Sequence, residues 1–275
     1  MPKNDQKTPI QLLGLPQDNN VSYLSGPCMA PTRIREALFC DSANLWTETG
    51  FDLSDKKLWQ DAGDVSLYDK TGLEAFELIH TSITKLVKSG YQVLSLGGDH
   101  SVSFPAISAH AENHGRLSIL HIDAHPDLYD DMQGNSYSHA SPFARLMESG
   151  LIDRLVQIGI RTLNGHQREQ AARFGVEIHE MCDLSQVGSI SFDRPVYLSL
   201  DMDALDPAFA PGVSHYEPGG LSTRAVLDVI HNFSGQLIGA DVVELNPHRD
   251  PGNVTAMVAA KFTKEIMGRI LIDRK

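Results

Sequence analysis

Short apolar runs of strand length alternate with helix-length amphipathic segments along the chain, which predicts an α/β protein: a three-layer αβα arrangement around a central, mostly parallel sheet. Two further observations agree with this class. The 275 residues are 41% hydrophobic, enough for a sizeable core. Polar, chemistry-bearing residues also follow directly after several apolar runs, at the strand ends where open α/β sheets bind ligands. No repeat, low-complexity tract or long Pro/Gly/Ser linker divides the chain, so residues 1–275 are expected to form a single domain.

In chain order, strands are expected at residues 10–15, 92–96, 117–122, 155–160, 196–200 and 237–243. Helical patterns lie between them. In residues 73–88, Phe76, Ile79, Ile83 and Val87 fall on one stripe, and residues 140–148, 167–174, 224–230 and 254–270 read similarly. Residues 17–31, 50–69 and 204–220 are left as loops, long for connections and so candidate carriers of function.

The run ending in Asp123-Ala124-His125-Pro126-Asp127 places two carboxylates and an imidazole at every second residue, so an extended backbone turns all three to one side. An oxygen-rich set with some imidazole suits a divalent ion such as manganese better than the thiolate sites of structural zinc. An Asp/His-rich loop capping a helix is the plainer alternative. Asp201 and Asp203 share one face after the run at 196–200, and such a pair is costly unless a cation sits between them. Gly97-Gly98-Asp99-His100 follows the run at 92–96, where paired glycines allow a tight turn; alone, that histidine reads equally as a capping or packed residue.

Three strand ends thus deliver ligand-type side chains. Asp123, Asp127, Asp201 and Asp203 carry about four negative charges, the complement of two divalent cations, with His100 and His125 as neutral ligands. Two metals a few Å apart acidify a bridging water, which is hydrolase chemistry. Asp127, His139 and Glu244 are candidates to serve it. Glu244 ends the run at 237–243, where an unpaired carboxylate favours a cationic substrate, and a planar guanidinium would meet it bidentately. The alternative is a salt bridge from Glu244 to Arg249 or Arg161.

Composition limits the partners. A net charge of −12 and a pI near 5.4, with no basic block, disfavour nucleic acid and anionic membrane surfaces. The polar start, Met1 to Thr8, and the lack of an apolar run near ~20 residues suggest a cytoplasmic protein that does not span a membrane. Cys28, Cys40 and Cys182 are far apart and odd in number, which fits reduced, buried thiols better than a disulfide framework or a zinc knuckle.

These motifs resemble the ureohydrolases, the arginase and agmatinase family: GGDHS at 97–101, DAHPD at 123–127, SHAS at 138–141, SLDMDALDPAFAPG at 199–212 and VVELNP at 242–247. The likeness is greatest to plant-type arginases and runs from Leu13 to Lys261. It implies two manganese ions per chain and hydrolysis of a guanidino group to an amine and urea. It also implies that Asp123 and Asp201 bridge both ions, that His100 and Asp127 complete one and that His125 and Asp203 complete the other. His139 would shuttle protons, Glu244 would bind the guanidinium, and a homo-oligomer, trimer or hexamer, would be the assembly. The helix from Val254 is a candidate contact surface, or else covers the sheet.

The substrate's far end is less defined. Animal-type arginases carry an Asp after the motif matching Gly159-Ile160-Arg161, where this chain has Thr162, and an Asn after DAHxD, where it has Tyr129. L-arginine (to ornithine) and agmatine (to putrescine) both remain open, as does another guanidino acid such as guanidinobutyrate. Asn135, Tyr137, His166 and His215 are candidates to contact that end. From other classes, a metallophosphoesterase would need further Asn-His and His-x-His motifs, and the chain has no His-x-His, while a non-catalytic metal-binding protein of the same fold would be expected to lack a ligand.

Overall fold

The structure is a computed structural model that describes residues 10–184 and 190–273; the polar start at Met1 to Thr8 lies outside the described residues. The strands are β1 (Ile10–Leu15), β2 (Trp59–Asp64), β3 (Gln92–Gly97), β4 (Leu117–Ile122), β5 (Ile152–Ile160), β6 (Glu177–Glu180), β7 (Val196–Asp201) and β8 (Leu237–Val243). They pair in parallel throughout, in the order β2-β1-β3-β8-β7-β4-β5-β6. The four central strands β3, β8, β7 and β4 are buried along their whole length, as a sheet covered on both faces requires.

The covering helices are α1 (Ala30–Leu38), α2 (Gly72–Lys88), α3 (Ser103–His114), α4 (Pro142–Glu148), α5 (Gly165–Phe174), α6 (Thr223–Asn232) and α7 (Val254–Ile272). On one face, Ile34 of α1, Ile230 of α6 and Phe262 and Ile266 of α7 pack on Leu94, Leu120, Leu198 and Ala240. On the other, Ile79 and Ile83 of α2, Ile107 of α3 and Phe143 and Leu146 of α4 pack on Val93, Ile119 and Tyr197. Neighbours along a strand alternate between the two cores, the period-two signature of a two-sided sheet. Local signals set several boundaries. Asn164 and Ser222 accept backbone N–H groups at the starts of α5 and α6, and Gly175 closes α5 in the left-handed region.

Four elements were not anticipated. The edge strands β2 and β6 carry no apolar run, and Trp59 is the only buried residue in β2. Helix α3 is buried around most of its circumference from Ser103 to Ala111, so no polar stripe marks it. Helix α1 starts inside the segment read as a loop at 17–31. The three cysteines are free but not buried as expected: Cys28 and Cys40 are half-buried and Cys182 is exposed. In α2 the buried stripe is Ala75, Ile79, Ile83 and Val87, with Phe76 only partly buried against Phe104 and Tyr137.

Candidate metal centre

The carboxyl ends of β3, β8, β7 and β4, adjacent in the sheet, converge on one cavity of about 260 Å³. Close approach of the backbone builds the first corner. A Cβ on Gly98 would lie 1.8 Å from the Gln17 carbonyl oxygen, and one on Gly97 would lie 2.5 Å from Val243 Cγ1, so only glycine fits at either position. The chain then turns, Asp99 accepts the Ser101 N–H at 3.0 Å, and His100 is carried in over the sheet.

His100 Nδ1 stands 3.1 Å from a carboxylate oxygen of each of Asp123, Asp127 and Asp201, yet makes no well-directed hydrogen bond to any of them. One nitrogen and three carboxylate oxygens that face one another without hydrogen bonds are the arrangement a cation requires. The other ring nitrogen fixes the lone pair: Nε2 lies 3.0 Å from Ser199 Oγ, which donates to Asp241 at 2.7 Å. On the other side of Asp123, His125 Nδ1 lies 3.4 Å from its Oδ1 and 3.0 Å from Asp203 Oδ2. Asp123 belongs to both clusters whose donor atoms lie close enough to hold a metal ion: His100, His121, Asp123 and Asp127 on one side, and Asp123, His125 and Asp203 on the other. The donor set, oxygens with two imidazoles, fits divalent manganese chemistry.

The electrostatics agree. Burial, with Asp203 and Asp123 alongside, pushes Asp201 well above the usual carboxylate range. Burial alone would lower His100, but Asp123, Asp127 and Asp201 outweigh it and hold the imidazole well above its ordinary value. Protons on such groups are what a cation would replace.

Glu244 follows β8 with its N–H on the Gly98 carbonyl at 2.8 Å. Its Oε1 accepts both the His100 N–H and His139 Nδ1, each at 2.9 Å, and it lines the cavity. Burial works to raise Glu244, but His139 and the His100 N–H keep it below its ordinary value, hence ionised. Neither Arg249 nor Arg161 pairs with it: Arg249 lies over the Tyr216 ring, and Arg161 donates to backbone carbonyls. His139 is carried up to about 9 by Glu244, against burial. Protonated, His139 donates from Nε2 to Ser22 Oγ at 2.9 Å; neutral, it presents a lone pair there to the Ser22 N–H at 3.1 Å.

Of the candidates for the far end, His215 lines the cavity, its ring 5.8 Å from that of His125 and 5.5 Å from that of His139. Tyr129 and Thr162 line it too. Asn135 is not brought there: its amide is spent on Asn20 Oδ1 at 3.1 Å and on the Tyr137 N–H at 2.9 Å. Tyr137 packs against Phe76 and Phe104, and His166 stacks on Tyr129 outside the cavity lining. Sequence reasoning missed Ser22, His121, Gln157 and Glu217. Ser22 and Glu217 arrive from loops with no local pattern; His121 carried a signal, since it continues the every-second-residue series of 123, 125 and 127.

A family model described as Arginase family matches residues 8–268. The chain is 48% identical over 285 residues to "Arginase 1, mitochondrial" of Arabidopsis thaliana, covering 96% of this chain and 82% of that protein. It is 31% identical over 272 residues to an agmatinase of Bacillus anthracis, covering 95% and 92%. The solved arginase from Medicago truncatula superposes with a TM-score of 0.93 at 44% identity, covering 96% of this chain and 87% of that one. The expectation of a cytoplasmic protein is overturned here, because the Arabidopsis relative is named mitochondrial. Surface charge and the absence of a membrane-length helix among the described residues describe how the folded chain meets water, and water is the same on both sides of an organelle membrane.

Proposed function

The chain belongs to the arginase family and is a ureohydrolase; on that premise we propose that it hydrolyses the guanidino group of L-arginine to urea and ornithine with two manganese ions, as one ureohydrolase unit over residues 1–275. The observation that carries the reading is the buried convergence of Asp123, Asp127, Asp201 and Asp203 on His100 and His125, beside an ionised Glu244 that no arginine among the described residues neutralises. Two bound divalent ions would acidify a water and polarise the guanidino carbon.

The chain's own residues do the rest. Glu244 has both of its hydrogen bonds on Oε1, which leaves Oε2 for a guanidinium N–H. That contact turns the guanidino carbon toward the ligands and fixes its orientation. His139, tied to the same carboxylate, exchanges a proton at Nε2 with Ser22 as its hydrogen-bond partner in both states. Asp127 lines the cavity and stands 3.1 Å from His100 Nδ1, within the ligand set.

Agmatine is the second reading, and one observation favours it: among the described residues no lysine or arginine lines the cavity to read a substrate carboxylate. Urea release from arginine, agmatine and guanidinobutyrate, with manganese supplied and then chelated, decides among them. Arginine as the best substrate is expected; release from none of the three sinks the proposal.

A homo-oligomer, trimer or hexamer, is proposed as the assembly. Helix α7 spends most of its apolar side chains on the sheet and on α1 and α6, while Val254, Met257 and Ile272 stay exposed. Light scattering at micromolar concentration is expected to exceed the monomer mass of 30.2 kDa, and monomer alone would refute this.

A further inference from the structure

His121 is fully buried inside the sheet at β4 and carries a chemistry that the six ligands do not account for. Its Nε2 lies 2.8 Å from Asp123 Oδ2, close enough for it to count as a further ligand-type neighbour of the metal cluster. Its other nitrogen settles which role it has. Gln157 Nε2 lies 2.7 Å from the Pro126 carbonyl oxygen, which can only accept, so the amide nitrogen must be at that position. The same nitrogen lies 3.0 Å from His121 Nδ1 and donates its second hydrogen there. Nδ1 therefore presents a lone pair, and Nε2 carries the hydrogen that points at Asp123.

We propose that His121 and Gln157 are a positioning pair for Asp123: a fixed imidazole donor that holds the carboxylate shared by the two halves of the metal centre, and not a seventh ligand. The inference rests on the metal-centre reading above. A ligand role for His121 would need the lone pair on Nε2 and the hydrogen on Nδ1, which would turn two N–H donors against each other at Gln157. Two features mark the pair as built for this orientation. Gln157 Oε1 is left buried without a partner, a cost that a freely rotating amide would avoid. The His121 ring is also clamped by Phe143, with centroids 3.9 Å apart. Oδ2 of Asp123 thus takes a hydrogen bond from His121, while Oδ1 accepts the His125 N–H at 2.6 Å, so both oxygens are oriented before any ion arrives.

The test titrates manganese into metal-stripped full-length protein and follows the metal-free melting temperature in parallel. His121→Phe keeps the ring against Phe143 but has no donor. Manganese affinity of the folded variant is expected to fall about 10–100-fold, and the metal-free melting temperature to drop by a few degrees because Gln157 loses its acceptor. His121→Gln, whose amide N–H reaches the same place, is expected to recover most of the affinity. Should His121→Phe not fold, Gln157→Leu frees the tautomer, and a fall in affinity is again expected. Wild-type affinity in the folded Phe or Leu variant overturns the proposal. Equal loss of one bound ion in the Phe and Gln variants would make His121 a ligand, which overturns it as well. A wild-type protein that takes up no manganese refutes the metal centre itself, an outcome distinct from both.

Discussion

Asp127 and Glu244 have positive φ, 49° and 62°, a region that L-residues rarely occupy and Glu more rarely than Asp. Strain of this kind persists only where the surroundings over-determine it. For Glu244 those surroundings are its N–H on Gly98, the His100 N–H and His139. Glu244→Gln keeps the shape but turns an amide donor toward a guanidinium, which itself offers only donors. Manganese content is expected to be retained while urea release falls by roughly 10²-fold or more. A metal-replete variant with wild-type release would remove Glu244 from guanidinium recognition. The ligand-type residues were legible in the sequence because each group lies within a few positions of one strand end, where spacing alone sets direction. Asn135, Ser22 and Glu217 depend on how distant loops fold over the sheet, and no local spacing encodes that.

The central strands and most helices were legible as elements because burial on two faces, or on one stripe, leaves a periodic trace. β2 and β6 were not, since an edge strand gains its place from pairing with β1 or β5 rather than from apolar content. The loop at 204–220 was legible only as long. In the structure Arg161, just past β5, organises it by donating to the carbonyls of Gly159, Asp203, Ala204, Leu205 and Glu217 at 2.6–3.3 Å. That fork brings the Glu217 side chain to 3.8 Å from His125 Nε2. Arg161→Lys offers one ammonium in place of a planar fork and cannot serve these carbonyls together. With bonds to a charged donor at ~1.5–3 kcal/mol each, at least about 2 kcal/mol of stability should be lost. The melting temperature should drop by several degrees, with a raised KM. Unchanged melting and KM would show that the loop holds itself.

Across the whole molecule, the sheet brings acidic side chains from three strand ends into a buried site of a chain that already carries a net charge of −12. Without metal, protons have to offset that repulsion, which is why Asp201, His100 and His125 are all held above their ordinary values: Asp201 mainly by burial, and the imidazoles by their carboxylates against burial. A group whose folded-state pKa is raised stabilises the metal-free fold at low pH, for the histidines fully so below their unfolded value near 6.5. That contribution is lost as pH rises through the folded value. Metal binding has the opposite sign, because the same nitrogens and oxygens must shed their protons to become ligands. Manganese at about 100 to 1,000 times its dissociation constant adds roughly 3–4 kcal/mol to a folded state that binds it. Melting temperature should therefore rise when manganese is added to stripped protein. The gap between loaded and stripped protein should widen from pH 6 to pH 9, as proton competition falls away. Calorimetry with manganese and with chelator at each pH measures both curves. A gap that is absent, or that widens toward low pH, would mean that these carboxylates and imidazoles do not form a metal centre.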